Sequence, residues 1–283
     1  MTAGPAPATV AAPADTVPEG WRRIAREWVD STQIEAREAL AAPDGGTGVP
    51  VADVLWPAGA LAVQAGEQTG GRGRHGRVWL SPPGNLYLTV AIPCPGGPRR
   101  GVEIGFVGGV AVVRALADLG CDRARLKWPN DVLVDGAKIA GLLPESHTDF
   151  RGRTWIVLGM GANVAHAPDV GTTLYPTTTL SRVGGAAGPG VVAALGGAVL
   201  TYVAAGLVRW RAEGFAPVRA AWLRVGHGLG EPVRVRLGDD TVRGIFLGLT
   251  PEGALRMRED GTGRDRTILA GDVFFPAGGE REE

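Results

Sequence analysis

The feature that most constrains this chain is a loop of glycines and arginines between two extended segments. Between Gln68 and Trp79 lie four glycines, three arginines and no carboxylate, in a chain whose formal net charge is zero. Glycines let backbone N–H groups turn toward an anion, and guanidinium groups bind phosphate or carboxylate in bidentate fashion. We therefore predict that this loop closes over a negatively charged ligand.

Two well-known glycine motifs match this loop, but its surroundings exclude both. Gly71, Gly73 and Gly76 fit Gly-x-Gly-x-x-Gly, which marks a dinucleotide site only between a strand and a helix. Here Pro82 and Pro83 exclude a helix, and the next run alternates as a strand does. A protein kinase is excluded too, because the sequence lacks the strand lysine and the catalytic-loop motif that a kinase requires.

Composition indicates a soluble protein with one large domain and one small one. The 283 residues are 45% hydrophobic, and 29 basic side chains balance 29 acidic ones, so any basic site is local. Cys94 and Cys121 lack a Cys-x-x-Cys spacing, which indicates two reduced thiols in a cytoplasmic protein. Residues 1–20 are predicted to be a disordered tail and not a secretory signal.

The run 191–208 has no charge and is long enough to cross a bilayer. Its larger side chains, at Val192, Leu195, Val199, Tyr202 and Val203, recur at helical spacing. This pattern favours a helix packed in the core that stops at Gly214, and no membrane attachment.

The remaining pattern predicts a mixed sheet with helices, followed by a β-module. We predict further helices over 32–41, with Thr32 and Glu35 as a capping box, over 102–119 and over 216–225. Strands are predicted at 60–65, 85–92, 125–127, 132–134, 139–144 and 155–158, and a loop at 43–50. Four alternating runs, 231–237, 241–249, 254–258 and 267–273, predict a small all-β barrel.

Three further segments carry candidate chemistry. Lys127 to Asp131 reads Lys-Trp-Pro-Asn-Asp, which is either a ring-stacking face beside oxygen ligands or a β-turn with a half-buried tryptophan. Lys138 belongs to a basic set with very few lysines, so it is either a required point charge or a solvated hairpin side chain. The run Gly159–Asn163 ends a strand in two glycines and an amide, where a ligand is able to approach the backbone.

These segments, in this order, resemble the biotin–protein ligases. That family carries a Ser-Thr opening motif, Gly-Arg-Gly-Arg-x-Gly-Arg, Lys-Trp-Pro-Asn-Asp, Lys-x-Ala-Gly and Gly-x-Gly-x-Asn. The matching segments here are Ser31-Thr32, Gly71–Arg77, Lys127–Asp131, Lys138–Gly141 and Gly159–Asn163. The resemblance implies an α+β fold. A catalytic domain over 21–226 would have a mixed sheet with helices like that of class II aminoacyl-tRNA synthetases, and an SH3-like β-barrel would follow over 227–277.

The resemblance also implies an ATP-dependent, AMP-forming ligase. Biotin would be activated to biotinyl-5′-AMP and then passed to a lysine of a biotin carboxyl carrier domain of an acyl-CoA carboxylase. Catalysis is assigned to Lys138 and Arg74. Biotin binding is assigned to Ser31, Thr32, Gln33, Gln68, Arg72, Gly73, Arg74, Lys138 and Gly141, and ATP or adenylate binding to Arg72, Arg74, Trp79, Lys127, Asn130, Asp131, Lys138 and Asn163. Magnesium is the expected cofactor, bound through the phosphates, with Asp131 as a further candidate ligand.

Two departures from the family pattern affect these expectations. Asparagine usually follows the Ser-Thr pair, whereas this chain has Gln33, whose extra methylene shifts the amide by about an ångström. About thirty residues precede Ser31, too few for the DNA-binding domain of regulatory members, so we expect a ligase and not a repressor. The choice between monomer and homodimer stays open, as does the target carboxylase.

Two alternatives remain. A lipoate–protein ligase or octanoyltransferase would share the catalytic fold, but those relatives lack this arginine loop and the Lys-Trp-Pro-Asn-Asp run. A non-catalytic RNA-binding module would use the arginines of the loop. Such Arg/Gly segments are usually longer, repeated and disordered, whereas this one lies between two predicted strands.

Overall fold

A seven-stranded mixed sheet forms the larger part of the molecule, in a computed structural model that describes residues 17–42, 51–167 and 176–275. The strands run in the order β1-β2-β3-β7-β6-β5-β4. β1 and β2 are parallel, and the other neighbours are antiparallel. The strands are β1 (Trp21–Val29), β2 (Ala60–Gln68), β3 (Leu86–Pro93), β4 (Arg125–Lys127), β5 (Asp131–Val134), β6 (Ala137–Thr148) and β7 (Thr154–Ala162).

Helices cover both faces of this sheet, which is why its central strands are apolar on both sides. On β2, Leu61 and Val63 pack into the small core under α1 and α2, whereas Ala60 and Ala62 face the larger core. Every residue of β3 is buried. The helices are α1 (Thr32–Ala41), α2 (Val51–Leu55), α3 (Gly101–Asp118), α4 (Val191–Glu213) and α5 (Ala216–Arg224).

The uncharged run lies within α4, which is long and apolar enough to cross a membrane by length and composition. In the structure Leu195, Val199 and Val203 are buried in the larger core. Gly206 lets α4 approach α3 closely, because a Cβ there would lie 2.7 Å from Val107. The helix ends at Gly214, whose φ of +76° suits glycine. α4 is therefore packed on α3 as part of the core.

The C-terminal module is a five-stranded antiparallel sheet in the order β11-β10-β9-β8-β12. Within the described residues β11 and β12 are not paired with each other, so the ladder does not close. The indole of Trp222 in α5 links the module to the larger part. Its ring centre lies 5.6 Å from that of Phe106 in α3 and 6.5 Å from that of Phe246 in β9. The strands are β8 (Pro232–Leu237), β9 (Asp240–Leu249), β10 (Leu255–Glu259), β11 (Asp265–Ile268) and β12 (Asp272–Phe274). The predicted α+β class, a mixed sheet with helices and a C-terminal β-module, is confirmed.

Several local predictions were wrong or incomplete. The single strand predicted at 267–273 is two strands, β11 and β12, because the chain turns at 269–271 although its apolar alternation continues. The cap of α1 is Ser31 and not Thr32, since the Ser31 hydroxyl accepts from the Gln33 N–H. The pattern missed β1, a largely exposed strand, and α2, which has five residues. Most of the predicted tail, residues 1–16, and the loop 43–50 lie outside the described residues.

Candidate functional site

A cavity of about 150 Å³ lies between the large sheet and the C-terminal module. Its wall includes every residue that the sequence analysis assigned to the site. These residues are Ser31, Thr32, Gln33, Gln68, Arg72, Gly73, Arg74, Trp79, Lys127, Asn130, Asp131, Lys138, Gly141 and Asn163. Segments more than a hundred residues apart in the chain are thus brought to one place.

One part of the wall is an uncharged hydrogen-bonding cluster at the start of α1. Ser31 and Thr32 are buried there, because α1 begins at the end of β1 beside the sheet. The Gln68 amide oxygen accepts from the Thr32 N–H at 2.9 Å and from the Thr32 hydroxyl at 3.1 Å. The Gln68 amide nitrogen donates to the Ser81 hydroxyl at 3.0 Å. These mutual bonds fix the orientation of the amide and the hydroxyls that face the cavity.

Gln33 lies in the same wall, but its amide nitrogen is engaged by protein oxygens. Nε2 donates to the carbonyls of Leu143 and Val157 at 3.1 and 3.3 Å, and to Glu145 at 2.9 Å. Its amide fits only because residue 159 is glycine, since a Cβ there would lie 2.7 Å from the Gln33 amide carbon. Gln33, which is one methylene longer than the asparagine usual at this position, therefore reaches β6 and β7.

The glycine–arginine loop forms a narrow hairpin across the mouth of the cavity. Gly73 donates its N–H to the Arg77 carbonyl at 2.7 Å, and Arg72 pairs with Val78 in an isolated bridge. His75, at the tip, has a φ of +57°, which few residues other than glycine adopt. Arg72 is exposed, whereas Arg74 and Arg77 are half-buried.

Arg74 and Arg77 contact residues of both the larger part and the C-terminal module. Arg74 donates to the Asn130 side-chain oxygen at 3.3 Å and to the Gly271 carbonyl at 3.4 Å. Arg77 forms an ion pair with Asp272 at 2.9 Å. Burial lowers the pKa of Arg74, which the charges of Asp272 and Asp131 oppose. Burial would raise the pKa of Asp272, but hydrogen bonds from Arg236 and Arg77 outweigh it and the pKa is lowered.

Two lysines share one carboxylate at the centre of the cavity. Lys138 Nζ lies 2.6 Å from one oxygen of Asp131, and Lys127 Nζ lies 3.3 Å from the other. Burial lowers the pKa of Lys127. Burial would raise the pKa of Asp131, but the two ammonium groups outweigh it, so its pKa is lowered. Asp131 is therefore an ionised counter-ion inside the site.

Trp79 covers two glycines of the sheet beside Lys138. The Lys138 ammonium lies 5.2 Å from the centre of the indole ring. A Cβ at Gly161 would lie 2.6 Å from the indole nitrogen, and one at Gly141 would lie 3.3 Å from the ring edge. Among the described residues the buried indole N–H has no hydrogen-bond partner. The glycines thus make room for the ring, whose N–H faces the sheet at Gly161.

The two asparagines of the site are anchored to the backbone. Asn130 donates from Nδ2 to the Leu142 carbonyl at 2.7 Å, and Asn163 donates to the Thr178 carbonyl at 3.1 Å. Trp128 is buried outside the cavity and donates its N–H to the Gly253 carbonyl at 3.0 Å. The ring-stacking interpretation of the Lys-Trp-Pro-Asn-Asp run is therefore wrong. The alternative, a turn, is present, but its tryptophan is fully buried and not half-buried as predicted.

Sequence reasoning missed several lining residues. Arg77 and Gly161 lay inside motifs that were already singled out, so the signal for them was present. Asp272 had no such signal, because its partner Arg77 lies 195 positions away and the alternating run around it predicted only a strand. Among the described residues no group of three or more His, Cys, Asp and Glu side chains is arranged to hold a metal ion.

Comparison with family models gives two matches in this chain. The model of the biotin/lipoate A/B protein ligase family matches residues 55–163. The model of the biotin protein ligase C terminal domain matches residues 228–275. The first range holds most of the cavity wall, and the second holds Asp272.

Curated proteins and solved structures agree with these matches. A biotin–[acetyl-CoA-carboxylase] ligase of Paracoccus denitrificans is 39% identical over 224 residues, which cover 77% of this chain and 91% of the relative. The ligase of that name from Mycobacterium tuberculosis is 33% identical, over 90% of this chain and 89% of the relative. The biotin protein ligase of Aquifex aeolicus in complex with biotin and ATP superposes with a TM-score of 0.72 and 26% identity, over 90% of this chain and 99% of that one.

Proposed function

This chain belongs to the biotin protein ligase family, and we propose that its cavity activates biotin with ATP and transfers the biotinyl group to a lysine of a carrier domain. The observation that carries the proposal is the presence of two unlike sets of groups in one cavity. Arg74, Lys127 and Lys138 suit phosphates and a carboxylate, because charge-assisted hydrogen bonds to such anions are strong. The uncharged cluster suits a neutral ring with N–H and C=O groups.

We assign the ureido ring of biotin to Ser31, Thr32 and Gln68. Gln68 accepts from Thr32 and donates to Ser81, and the Ser31 hydroxyl accepts from the Gln33 N–H. These bonds hold the donors and acceptors in place before the ligand arrives, which lowers the entropy cost of binding. Gln33 is assigned a supporting role in this wall, since its amide nitrogen already donates to three protein oxygens. Arg72, Gly73 and Gly141 are assigned to the same binding site.

In the first step a carboxylate oxygen of biotin attacks the α-phosphorus of ATP. The bond from that phosphorus to the bridging oxygen of the leaving pyrophosphate breaks, and biotinyl-5′-AMP forms. Both reactants are anions, so the protein mainly has to hold them together and neutralise charge. We assign Lys138 between the two anions and Arg74 over the adenylate, where the loop also keeps water from the mixed anhydride.

Trp79, Lys127, Asn130, Asp131 and Asn163 are assigned to the adenylate. Asn130 is fixed by β6 and accepts from Arg74, so it couples the loop to the sheet. The ring of Trp79 lies beside Lys138 and is assigned as a wall of the adenylate site. Asp131 holds both lysines, which sets where their charges lie.

In the second step the neutral amine of a partner's lysine attacks the acyl carbon of biotinyl-5′-AMP. The carbon–oxygen bond to AMP breaks, and the proton of the amine passes to water. We propose a biotin carboxyl carrier domain as this partner, in line with the names of the curated relatives. No covalent intermediate on the enzyme is needed.

We propose that magnesium enters with ATP, held by the phosphates, where it would offset their negative charge. Magnesium prefers oxygen ligands and commonly takes one or two carboxylates together with substrate phosphates. Asp131 is a carboxylate in the cavity wall, but each of its oxygens is engaged by a lysine. The residues present therefore fit an ion bound through ATP better than a cage made by the protein.

We place the boundary between the catalytic domain and the C-terminal module at residues 226 and 227, and we expect the enzyme to work in the cytoplasm. Cys94 and Cys121 are both free and buried, as a reducing compartment allows.

A role as a ligase without repressor activity stays a prediction, and the choice between monomer and homodimer stays open. Gel-shift and sedimentation measurements on the purified protein test them.

Ligand selectivity tests the proposal against its alternatives. We expect ATP–pyrophosphate exchange that depends on biotin and does not respond to lipoate or octanoate, because only biotin satisfies the uncharged cluster. Exchange driven by lipoate would favour the lipoate ligase alternative. RNA binding without any exchange would favour the RNA-binding alternative, which the contacts of Arg74 and Arg77 inside the cavity argue against.

A further inference from the structure

The bend that follows β7, at residues 164–166, is held by one side chain from the start of β3. The amide oxygen of Asn85 accepts the backbone N–H groups of Val164, Ala165 and His166, at 2.9, 3.0 and 3.0 Å. The amide nitrogen of Asn85 donates to the His166 carbonyl at 2.8 Å. Asn85 is only 1% exposed. An acceptor and a donor on one buried, planar carboxamide therefore set the path of three successive residues.

The sheet places Asn85 firmly beside this bend. Asn85 immediately precedes β3, and the first residue of β3, Leu86, lies opposite Ala162, the last residue of β7. Gly84 also lies against the bend, since a Cβ there would lie 3.3 Å from Cδ2 of His166. The chain just before β3 therefore supplies both polar contacts to the bend and a surface on which it packs.

The residue directly before the bend is Asn163, which lines the cavity. Its backbone N–H donates to the Ile139 carbonyl at 2.8 Å, and its side-chain nitrogen donates to the Thr178 carbonyl at 3.1 Å. Ile139 and Thr178 thus fix Asn163 from the side of β6 and from the segment that follows residue 175. The direction in which the chain leaves Asn163 is set by other groups.

The peptide unit between Asn163 and Val164 is held from both sides. Its carbonyl accepts from the Leu180 N–H at 2.9 Å, and its N–H donates to Asn85, also at 2.9 Å. Without Asn85 this buried N–H would lose its acceptor, and one of the two holds on the peptide unit would be lost. The change is passed to Asn163, because the peptide unit is part of its backbone. Asn85 itself is not among the residues that line the cavity.

We propose that Asn85 is a positioning residue for the nucleotide, which fixes the bend 164–166 and thereby holds Asn163 in the adenylate part of the cavity. The inference rests on the proposed function, in which Asn163 is assigned to the adenylate. The groups assigned to biotin are held in another way, by bonds of Thr32 and Gln68 to each other and of Gln68 to Ser81. Loss of Asn85 should therefore weaken nucleotide binding and leave biotin binding intact.

The test compares KM for ATP with KM for biotin, both measured by pyrophosphate release. Asn85→Ala should raise KM for ATP about tenfold, because buried N–H groups lose their acceptor, and should leave kcat and KM for biotin within about twofold. Asn85→Asp keeps the accepting oxygen but loses the donor to His166. Its KM for ATP should be about threefold above that of the wild type. Should Asn85→Ala not fold, Asn85→Asp alone decides.

Asp149→Ala is the matched control for a general effect on the fold. Asp149 is buried and accepts the N–H groups of Arg151 and Arg153, both at 2.9 Å, in the turn between β6 and β7. No residue of that turn, 149–153, lines the cavity. Asp149→Ala should therefore lower the free energy of unfolding and leave KM for ATP unchanged.

A double variant tests whether Asn85 acts through Asn163. Adding Asn85→Ala to Asn163→Ala should raise KM for ATP no further, since both changes remove the same contact to the nucleotide. The inference is overturned if the two losses multiply, or if KM for biotin rises as much as KM for ATP. It is also overturned if the folded Asn85 variants keep the wild-type KM for ATP, or if Asp149→Ala raises it equally.

Failure of the proposed function gives a different result. A wild type that binds Mg-ATP in calorimetry but shows no biotin-dependent pyrophosphate exchange would contradict the ligase reaction alone. The same variants are then compared by their Kd for ATP, with the same expected ratios. A wild type that does not bind Mg-ATP would overturn this inference as well.

Discussion

Nη2 of Arg77 lies 2.9 Å from Oδ1 of Asp272, and this ion pair joins the glycine–arginine loop to the last strand of the C-terminal module. On the other side Asp272 binds Arg236 of β8, also at 2.9 Å. Arg74 reaches the neighbouring Gly271 carbonyl at 3.4 Å. The C-terminal module is therefore part of the wall that holds the loop over the cavity.

We predict that Arg77 and Asp272 act as one unit in adenylation. Arg77→Gln and Asp272→Asn should each lower kcat/KM for ATP about tenfold, because the loop is no longer held in place. The double variant should be no worse than the more affected single one, since the interaction is lost only once. Steady-state pyrophosphate release measures all three.

Asp265→Asn is the control for this pair. Asp265 belongs to the same module but lies on β11, at the other end of the strand order from β12, and pairs with Arg256 at 2.9 Å. Its effect should be small and should add to that of Arg77→Gln. If the loss of kcat/KM in the Arg77→Gln, Asp272→Asn double variant equalled the product of the two single losses, the two residues would act independently. That outcome would contradict the prediction.

Lys138 supplies the charge on which the first step depends. We expect Lys138→Met to lower the rate of adenylate formation by about 10² to 10³, the usual loss when one preorganised electrostatic contact is removed. Lys138→Arg should recover part of the rate, because it keeps the charge but not the compact shape. Arg209→Gln, which breaks an exposed pair with Glu213, should leave the rate unchanged. Full activity of folded Lys138→Met would rule out the assigned role.

The close fit of Trp79 on Gly161 predicts a loss of ligand binding without loss of folding. In Gly161→Ala the new Cβ would lie 2.6 Å from the indole nitrogen, so the ring must move. Affinity for biotinyl-5′-AMP, to whose nucleotide part Trp79 is assigned, should fall about tenfold or more in calorimetry, because the ring is forced out of its place. Gly197→Ala in α4, where nothing lies within 4 Å of the new Cβ, should bind normally. Equal affinity in both variants would contradict this account of Trp79.

A buried carboxylate outside the site predicts a pH dependence of stability. Asp149 accepts hydrogen bonds from Arg153 and from the Trp155 indole, at 2.7 and 2.9 Å. Burial would raise the pKa of Asp149, but the bonds from the Arg153 backbone and Trp155 outweigh it, so the pKa lies below the ordinary value of 3.8. A lowered pKa in the folded state stabilises the protein above the unfolded pKa, and that stability is lost as pH falls through the folded pKa.

Asp149→Asn should therefore cost about 2 kcal/mol near neutral pH. The difference from the wild type should shrink as the pH falls below about 3.8. Denaturant unfolding at several pH values measures it, with Asp265→Asn as an exposed control. A difference that does not change across this range would mean that ionisation of Asp149 does not stabilise the fold.

Local signals in the sequence were enough to predict most of the elements. The helix that ends at Gly214 and the buried strand β3 have clear apolar patterns and a clear stop, so their positions were predictable. The strand β1 was missed because it is largely exposed and carries several charged residues, so that its extended conformation depends on pairing with β2. Strand pairing of this kind is a property of the whole fold.

The contacts inside the site could not be predicted in the same way. Arg74 and Lys138 stood out by local composition, whereas Ser31 was assigned from the resemblance to the biotin–protein ligases, and all three line one cavity. That Asp131 would bind both lysines, or that Trp128 would turn away from the cavity, depends on side-chain packing across the sheet. Asp272 lies in another module, and no local pattern links it to Arg77.

The most direct test of the central claim is the mass of a biotin carboxyl carrier domain after incubation with this enzyme, biotin and Mg-ATP. We predict that the domain gains one biotinyl group on a single lysine, and that Lys138→Met or Arg74→Ala slows the gain about a hundredfold or more while the fold survives. An unchanged carrier mass with wild-type enzyme, or full transfer by either folded variant, would contradict the account.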